Sequence, residues 1–209
     1  NAARKLEGKP GAKLSPYVIP ATASNLAAGQ ISIRHRLRGP GYAPSSACAT
    51  GTHAIGEAAE WIRRGRADVM VAGSSEAPIT PVGIGGFAGM RALSRRNDAP
   101  WRASRPFDRD RDGFVAGEGA GVLVLESAEH AERRGARVLA ELVGYGATAD
   151  AHHVAAPAPD GEGLARAMEM ALEDAELAPG DVDLLSAHAT STGLGDLAEA
   201  SAVARVFGP

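Results

Sequence analysis

The apolar positions of the 209-residue chain change their period several times, and each change marks an expected element. Through residues 1–40 Pro, Gly and Lys interrupt any regular pattern, and proline keeps the apolar passage Tyr17-Val18-Ile19-Pro20 irregular. A helix is expected over 24–36, although Leu26, Ile31, Ile33 and Leu37 hold no clean 3.6-residue period. After Gly39-Pro40-Gly41, residues 42–47 suit a short strand leading to Cys48. Beyond it Ala54, Ile55, Ala58, Ala59 and Ile62 recur at helical spacing up to Arg63-Arg64-Gly65, a basic last turn followed by a glycine stop. The order is strand, sharp turn with a thiol, helix.

Residues 68–73 are apolar on both faces and closed by glycine, which predicts a fully buried strand. A Gly- and Pro-rich loop is expected from Pro78 through Gly86, running into a mixed-charge stretch that ends near Asp112. Val122-Leu123-Val124-Leu125 predicts a second buried strand, 127–134 a helix and 138–145 a third strand. Residues 164–177 form an amphipathic helical pattern, 182–186 a fourth strand and 196–206 a last helix. Strands alternating with helices predict α/β layers around a largely parallel or mixed sheet.

Composition narrows the function. Against 22 Lys+Arg stand 25 Asp+Glu, a formal charge of −3, and aromatic residues make up 4% of the chain. Neither a basic surface nor stacking platforms for nucleic acid are expected. No apolar run approaches bilayer length and the first residues form no signal sequence, so neither a membrane span nor secretion is expected. Cys48 is the single cysteine, and a reducing cytoplasm is the expected compartment. The three lysines are Lys5, Lys9 and Lys13, so every later basic side chain is Arg or His.

Several motifs fail on spacing. Gly117-Glu118-Gly119-Ala120-Gly121 has Val122 where a dinucleotide fingerprint needs its third glycine, and it precedes a strand instead of following one. Close backbone packing at the entry to a buried strand is the better expectation. Residues 108–113 match the first half of a calcium loop, but the twelfth position is Gly119, with Glu118 one place early, and two arginines interrupt the carboxylates. A turn in which Arg105, Arg109 and Arg111 pair with the aspartates is expected instead. His152-His153 lacks further assignable ligands, so no metal is expected there. His35 and His130 read as surface positions, and His53 as either a neighbour of the thiol or a helix-lining residue.

Cys48 and His188 remain. A cysteine on a strand-to-helix turn, flanked by Ala47, Ala49 and Gly51, would expose its sulfur where free N–H groups favour a thiolate and can hold an oxyanion. His188 follows a predicted strand and precedes Thr190-Ser191-Thr192-Gly193, where hydroxyls could hold a polar substrate arm. On spacing alone, a Cys/His acyl-transfer pair and an inert buried thiol stand as equal readings.

Together, Ala47-Cys48-Ala49-Thr50-Gly51, residues 68–73, Phe107-Asp108 with 111–115, residues 117–121, and residues 188–192 with Gly195-Asp196 resemble the β-ketoacyl-acyl carrier protein synthases, most like the elongating synthase II group. The likeness runs in unbroken order through the chain. It implies a thiolase-like α-β-α-β-α layered fold, incomplete in this chain, with residues 1–145 belonging to an N-terminal half and 146–209 beginning a C-terminal half. It implies decarboxylative Claisen condensation without a cofactor, in a homodimer served by an acyl carrier protein bearing acyl and malonyl groups on phosphopantetheine.

By the same resemblance Cys48 is the acylated nucleophile and His188 the first of two active-site histidines. Thr190 and Thr192 hold the pantetheine arm, and Glu199 stands behind the site. Asp150 and His153 lie on a gating loop over 150–156, Phe87 in the acyl pocket, and Arg91 where the carrier protein docks. The chain departs from the family at Ala189, usually Gly, and at Gly193, often Pro. An alanine would resist a positive φ at 189, so a somewhat rearranged histidine loop is expected. The family's second histidine, active-site lysine and gating phenylalanine would lie past Pro209, and no lysine follows Lys13 to fill that role. A ketosynthase of a polyketide pathway, and a non-catalytic partner that only dimerises, are the competing expectations.

Overall fold

The computed structural model describes residues 13–208. These residues divide into two compact units, one ending at Thr50 and the other beginning at Gly51. In the first unit, α1 spans Leu26–His35. It stops where Arg36 takes a left-handed conformation (φ 56°) and its N–H closes on the Ser32 carbonyl. The expected helix at 24–36 is therefore present, trimmed by its cap. The expected strand at 42–47 is not: residues 41–46 carry no ladder, and a 3₁₀ turn, Ala47–Ala49, follows.

That turn leads into α2, Thr50–Arg63, whose buried face is made of the small residues Gly56, Ala58 and Ala59. In the second unit β1, Val69–Glu76, pairs antiparallel with β2, Gly119–Glu126, from Val69 opposite Glu126 to Glu76 opposite Gly119. Both strands fall where periodicity places them, but the direction and burial differ from expectation. Pairing is antiparallel, and β2 is open: Val122, Leu123 and Val124 are 53%, 50% and 64% exposed. An apolar run is legible in a sequence, whereas the layers that would cover it and the direction of its partner are not. The glycines of 117–121 likewise do not pack closely, since a Cβ at Gly117, Gly119 or Gly121 would meet open space. The close approach is made by Gly73 on the other strand, where a Cβ would lie 2.0 Å from the Gly121 carbonyl oxygen.

Between these strands the expected Gly/Pro loop contains a helix, α3, Pro81–Gly89. Proline at its first position and the Thr80 hydroxyl, which accepts the Gly83 N–H at 3.0 Å, start it in spite of its four glycines. Next comes α4, Ala128–Arg133, capped by Ser127. Glu126, just before it, faces Arg134 and His130, which hold its carboxyl down to about 2.

The expected strands at 138–145 and 182–186 join no ladder among the described residues. The first still shows the two-residue alternation of a strand. Gly144 and Gly146 lie against α5, Glu162–Asp174, where added Cβ atoms would meet the Ala171 and Ala167 carbonyl oxygens at 2.2 and 2.1 Å. Tyr145 points the opposite way onto Gly56 of α2. Asp174 fastens this layer by accepting the Tyr145 N–H and pairing with Arg63, both at 2.8 Å.

The last helix, α6, spans Gly193–Phe207. A seam of Gly161, Ala165, Ala198 and Ala202 joins α5 and α6; three of these are buried alanines, and a Cβ at Gly161 would lie 2.2 Å from the Ala198 carbonyl oxygen. Small residues let the two helices approach at backbone distance. No helix among the described residues is long and apolar enough to cross a membrane.

Replacing Gly146 with Ala should cost about 1–3 kcal/mol, because its methyl meets the α5 backbone, which cannot rotate away. Urea unfolding of the two proteins measures the difference, and an unchanged midpoint would contradict this packing.

Candidate active site

Cys48 lies in the middle of the Ala47–Ala49 turn and is exposed, which removes the reading of an inert buried thiol. Ala47 is held at φ 51°, a conformation alanine adopts at a cost of roughly 1–2 kcal/mol. The Ala49 N–H reaches the Ser46 carbonyl at 3.2 Å, and the Ser46 N–H donates to the Thr50 hydroxyl at 2.9 Å. The turn is thus tied across both sides of the cysteine. In the first turn of a helix the N–H groups of Ala47 and Cys48 have no acceptor within it, which leaves donors for an oxyanion at the thiol.

His188 belongs to the second unit, on a loop organised by α6. Glu199, 7% exposed, places one carboxylate oxygen on the His188 N–H at 2.6 Å and the other on the Ala189 N–H at 2.8 Å. The backbone of the histidine is therefore fixed while its side chain stays exposed. One turn earlier on the same helix, Asp196 is 1% exposed. It accepts the Phe107 N–H at 2.7 Å, the Ser191 N–H at 3.0 Å and the Thr190 hydroxyl at 3.4 Å, and it pairs with Arg111 at 3.3 Å. Ser191, fully buried, accepts the Arg105 N–H on its hydroxyl and the Gly113 N–H on its carbonyl, each at 3.0 Å.

The two threonine hydroxyls lie 2.9 Å apart, and Thr192 caps α6 by accepting the Gly195 N–H at 3.1 Å. A Cβ on Gly195 would sit 2.4 Å from the Thr192 hydroxyl and 3.0 Å from that of Thr190, so glycine leaves room for the pair. When Thr190 donates to Thr192, the Thr192 proton is free for a ligand; when the order reverses, Thr190 turns to Asp196. The pair can therefore either donate or accept.

The structure brings His188, Thr190, Thr192 and Glu199 together on one loop and helix start. Phe87, on α3, stacks edge-to-face on Phe114 with ring centroids 5.2 Å apart. Asp150 and His153 share a loop whose turns they close themselves: Asp150 accepts the Ala158 N–H at 2.8 Å, and His153 Nδ1 accepts the N–H groups of Ala155 and Ala156 at 3.1 and 3.0 Å. A ring nitrogen accepting twice is unprotonated, so its proton is on Nε2. His53 stands edge-on to Tyr145 at 6.4 Å, the helix-lining role of its two expected ones.

The 108–112 turn departs in detail from the expected pairing. Arg105 does meet Asp108 at 3.0 Å and Arg109 meets Asp110 at 3.5 Å, but Arg111 leaves the turn for Asp196. Asp112 instead closes on the Ser94 hydroxyl at 2.6 Å and the Arg95 N–H at 3.0 Å, which hold its carboxyl below the ordinary range. Asp196 and Arg111 were legible as parts of motifs but not as the groups that build the loop. The available signal was a carboxylate pair three residues apart in the small and apolar first turns of a helix.

A model of the β-ketoacyl synthase N-terminal domain matches residues 1–131, and one of the C-terminal domain matches residues 139–209. The chain belongs to the β-ketoacyl synthase family. It is 52% identical over 209 residues to a 3-oxoacyl-[acyl-carrier-protein] synthase 2 of Rhizobium meliloti, covering 100% of this chain and 49% of that protein. A 3-oxoacyl-[acyl-carrier-protein] synthase 2 of Staphylococcus aureus is 51% identical over 207 residues, covering 99% of this chain and 51% of that one. The chain spans about half the length of these curated relatives.

Among solved structures, a type II polyketide ketosynthase in complex with its acyl-carrier protein and bound to the hexaketide superposes with a TM-score of 0.90 at 41% identity, over 93% of this chain and 48% of that one. A β-ketoacyl synthase from Burkholderia phymatum gives 0.84 at 44% identity, over 88% and 44%. The fold is thiolase-like, and this chain carries part of it.

Ala189 stands at φ 49° and Ser191 at φ 66°, so the alanine itself enters the left-handed region. Replacing Ala189 with Gly should stabilise the protein by about 0.5–1 kcal/mol, the relieved strain exceeding the added freedom of the unfolded chain. Thermal unfolding measures it; a lower midpoint for the glycine variant would contradict the strained conformation.

Proposed function

We propose that the protein carrying this chain is an elongating 3-oxoacyl-[acyl-carrier-protein] synthase of fatty acid biosynthesis. Cys48 thiolate attacks the thioester carbonyl of an acyl carrier protein; the acyl–sulfur bond to the carrier breaks, the carrier thiolate leaves, and acyl-Cys48 forms. Malonyl-carrier protein then loses carbon dioxide, and the electron pair of the broken carbon–carbon bond becomes an enolate. The enolate carbon attacks the acyl-Cys48 carbonyl, giving the 3-oxoacyl-carrier protein and returning the thiolate. N–H groups at the cysteine turn hold the oxyanion of each acyl step, and His188 donates a hydrogen bond to the enolate oxygen. The scheme calls on no redox or metal cofactor.

The observation that carries this reading is the histidine loop. Glu199 fixes the backbone of His188 on both sides of its peptide and leaves the ring exposed beside a hydroxyl pair. A residue placed only for packing would not have its main chain held and its ring left free. In this reading Thr190 and Thr192 take the pantetheine arm, Phe87 borders the acyl chain, and Asp150 and His153 belong to a gating loop. Residues 1–145 act as the nucleophile half and 146–209 as the start of the histidine half, in a cytoplasmic homodimer that docks an acyl carrier protein, with Arg91 facing the carrier. A polyketide ketosynthase is the second reading, favoured by the TM-score of 0.90 to one such enzyme. The identity of 52% to the fatty-acid type relative against 41% to that polyketide enzyme favours the first. A non-catalytic partner has no use for the exposed thiol at Cys48.

The full-length protein should convert acyl- and malonyl-carrier proteins to a 3-oxoacyl product with release of carbon dioxide, and Cys48→Ala should lower the rate by about 10³-fold or more. The 209-residue chain alone should yield none, because no lysine follows Lys13 to complete the site. Product from the isolated chain, or a rate from Cys48→Ala close to that of the wild type, read by mass spectrometry, would contradict the proposal.

A further inference from the structure

Arg111 is a half-buried arginine on a turn distant in sequence from the histidine loop, and the proposed reaction gives it no part. Its side chain is 16% exposed and every one of its nitrogens is engaged. Nε donates to the Thr192 carbonyl at 2.9 Å, Nη2 to the Gly193 carbonyl at 2.7 Å and Nη1 to the Asp108 carbonyl at 2.9 Å. Nε also lies 3.3 Å from Asp196 Oδ2. The planar fork thus grips two successive carbonyls at the exact place where the loop becomes α6, while its third arm anchors it to its own turn.

Helix stability does not account for this placement. A guanidinium at a helix N-terminus opposes the macrodipole, and the two carbonyls it holds belong to the cap and first residue, which the helix itself can satisfy. The group held in position is instead the Thr190–Thr192 hydroxyl pair. Thr192 is the residue whose carbonyl Arg111 takes, Thr190 shares Asp196 with it, and the Gly113 N–H, two residues on from Arg111, holds the Ser191 carbonyl between the two threonines.

We propose that Arg111 is a positioning residue that sets the two threonine hydroxyls for the pantetheine arm of the substrate, by fixing the carbonyls of Thr192 and Gly193 from the 108–113 turn. The inference rests on the reading of Thr190 and Thr192 given above. Lysine, with one point charge, can serve one carbonyl or Asp196 but not the fork, so it restores only part of the effect.

The test is steady-state kinetics of the full-length protein with malonyl-carrier protein as the varied substrate. Arg111→Met and Arg111→Lys are compared with the double variant Thr190→Val/Thr192→Val. Arg111→Met should raise KM roughly ten-fold or more with kcat changed by less than about three-fold, the size expected for losing charge-assisted hydrogen bonds from a binding surface. Arg111→Lys should fall between the wild type and Arg111→Met. Adding Arg111→Met to the threonine double variant should raise KM little further, because the hydroxyls it positions are gone.

A merely structural arginine would lower the fraction of folded enzyme, seen as a fall in kcat at constant KM. That result, or an unchanged KM, overturns the proposal. Should Arg111→Met not fold, Arg111→Lys, which keeps the charge opposite Asp196, decides on its KM alone. No 3-oxoacyl product from the wild type refutes the function, an unchanged KM in the threonine variant refutes the hydroxyl role and the positioning with it, and a raised KM there but not in the Arg111 variants refutes the positioning alone.

Discussion

Two carboxylates one turn apart on α6, Asp196 and Glu199, hold the main chain of the loop from His188 to Ser191. Between them they accept four backbone N–H groups, those of Phe107, His188, Ala189 and Ser191. Three of these residues, Phe107, Ala189 and Ser191, stand at positive φ. An L-residue stays in that region only where its surroundings over-determine it, and here the over-determination is a carboxylate oxygen on each strained N–H. Burying a carboxylate is costly, and one with several directed donors and a guanidinium is how such a group is retained. Stripping its partners from a buried charge costs about 3–5 kcal/mol, so the network resists piecemeal loss.

The scaffold serves this arrangement by bringing backbones close. Glycines at 144, 146 and 161 and alanines at 165, 198 and 202 let one stretch of chain and two helices meet without side chains between them. That closeness fixes the direction of α6, and with it where Asp196 and Glu199 point. At the cysteine turn a strained Ala47, a 3₁₀ turn and the start of α2 leave the thiol exposed. His188 is thus held through long-range packing, while hydrogen bonds of Ser46 with Ala49 and Thr50 tie the turn at Cys48.

This difference explains what could be read from residues alone. The cysteine turn, α2, β1, β2 and α6 were all legible, because each is written in a local pattern of small residues, period and caps. Helix α3 was not, since its four glycines speak for a loop and what starts it is the Thr80 hydroxyl together with Pro81. Strand direction was not legible either, and the exposed apolar face of β2 shows why burial cannot be inferred from composition of one segment. At the histidine loop, hydroxyls and imidazole are visible in order, whereas the pairing of Arg111 with Asp196, 85 positions away in the numbering, belongs to the fold. The aspartates of the 108–112 turn invited a local pairing for that arginine, and a partner that is itself 1% exposed took it instead.

Acylation of Cys48 is the step on which the proposed function rests. Its most direct test is to mix the full-length protein with an acyl carrier protein thioester in the absence of malonyl-carrier protein, digest it, and map the mass increment by peptide. One acyl group per chain is expected, on the peptide containing Cys48, with its loss on later addition of malonyl-carrier protein. An acyl group on any other residue, or none at all, would contradict it.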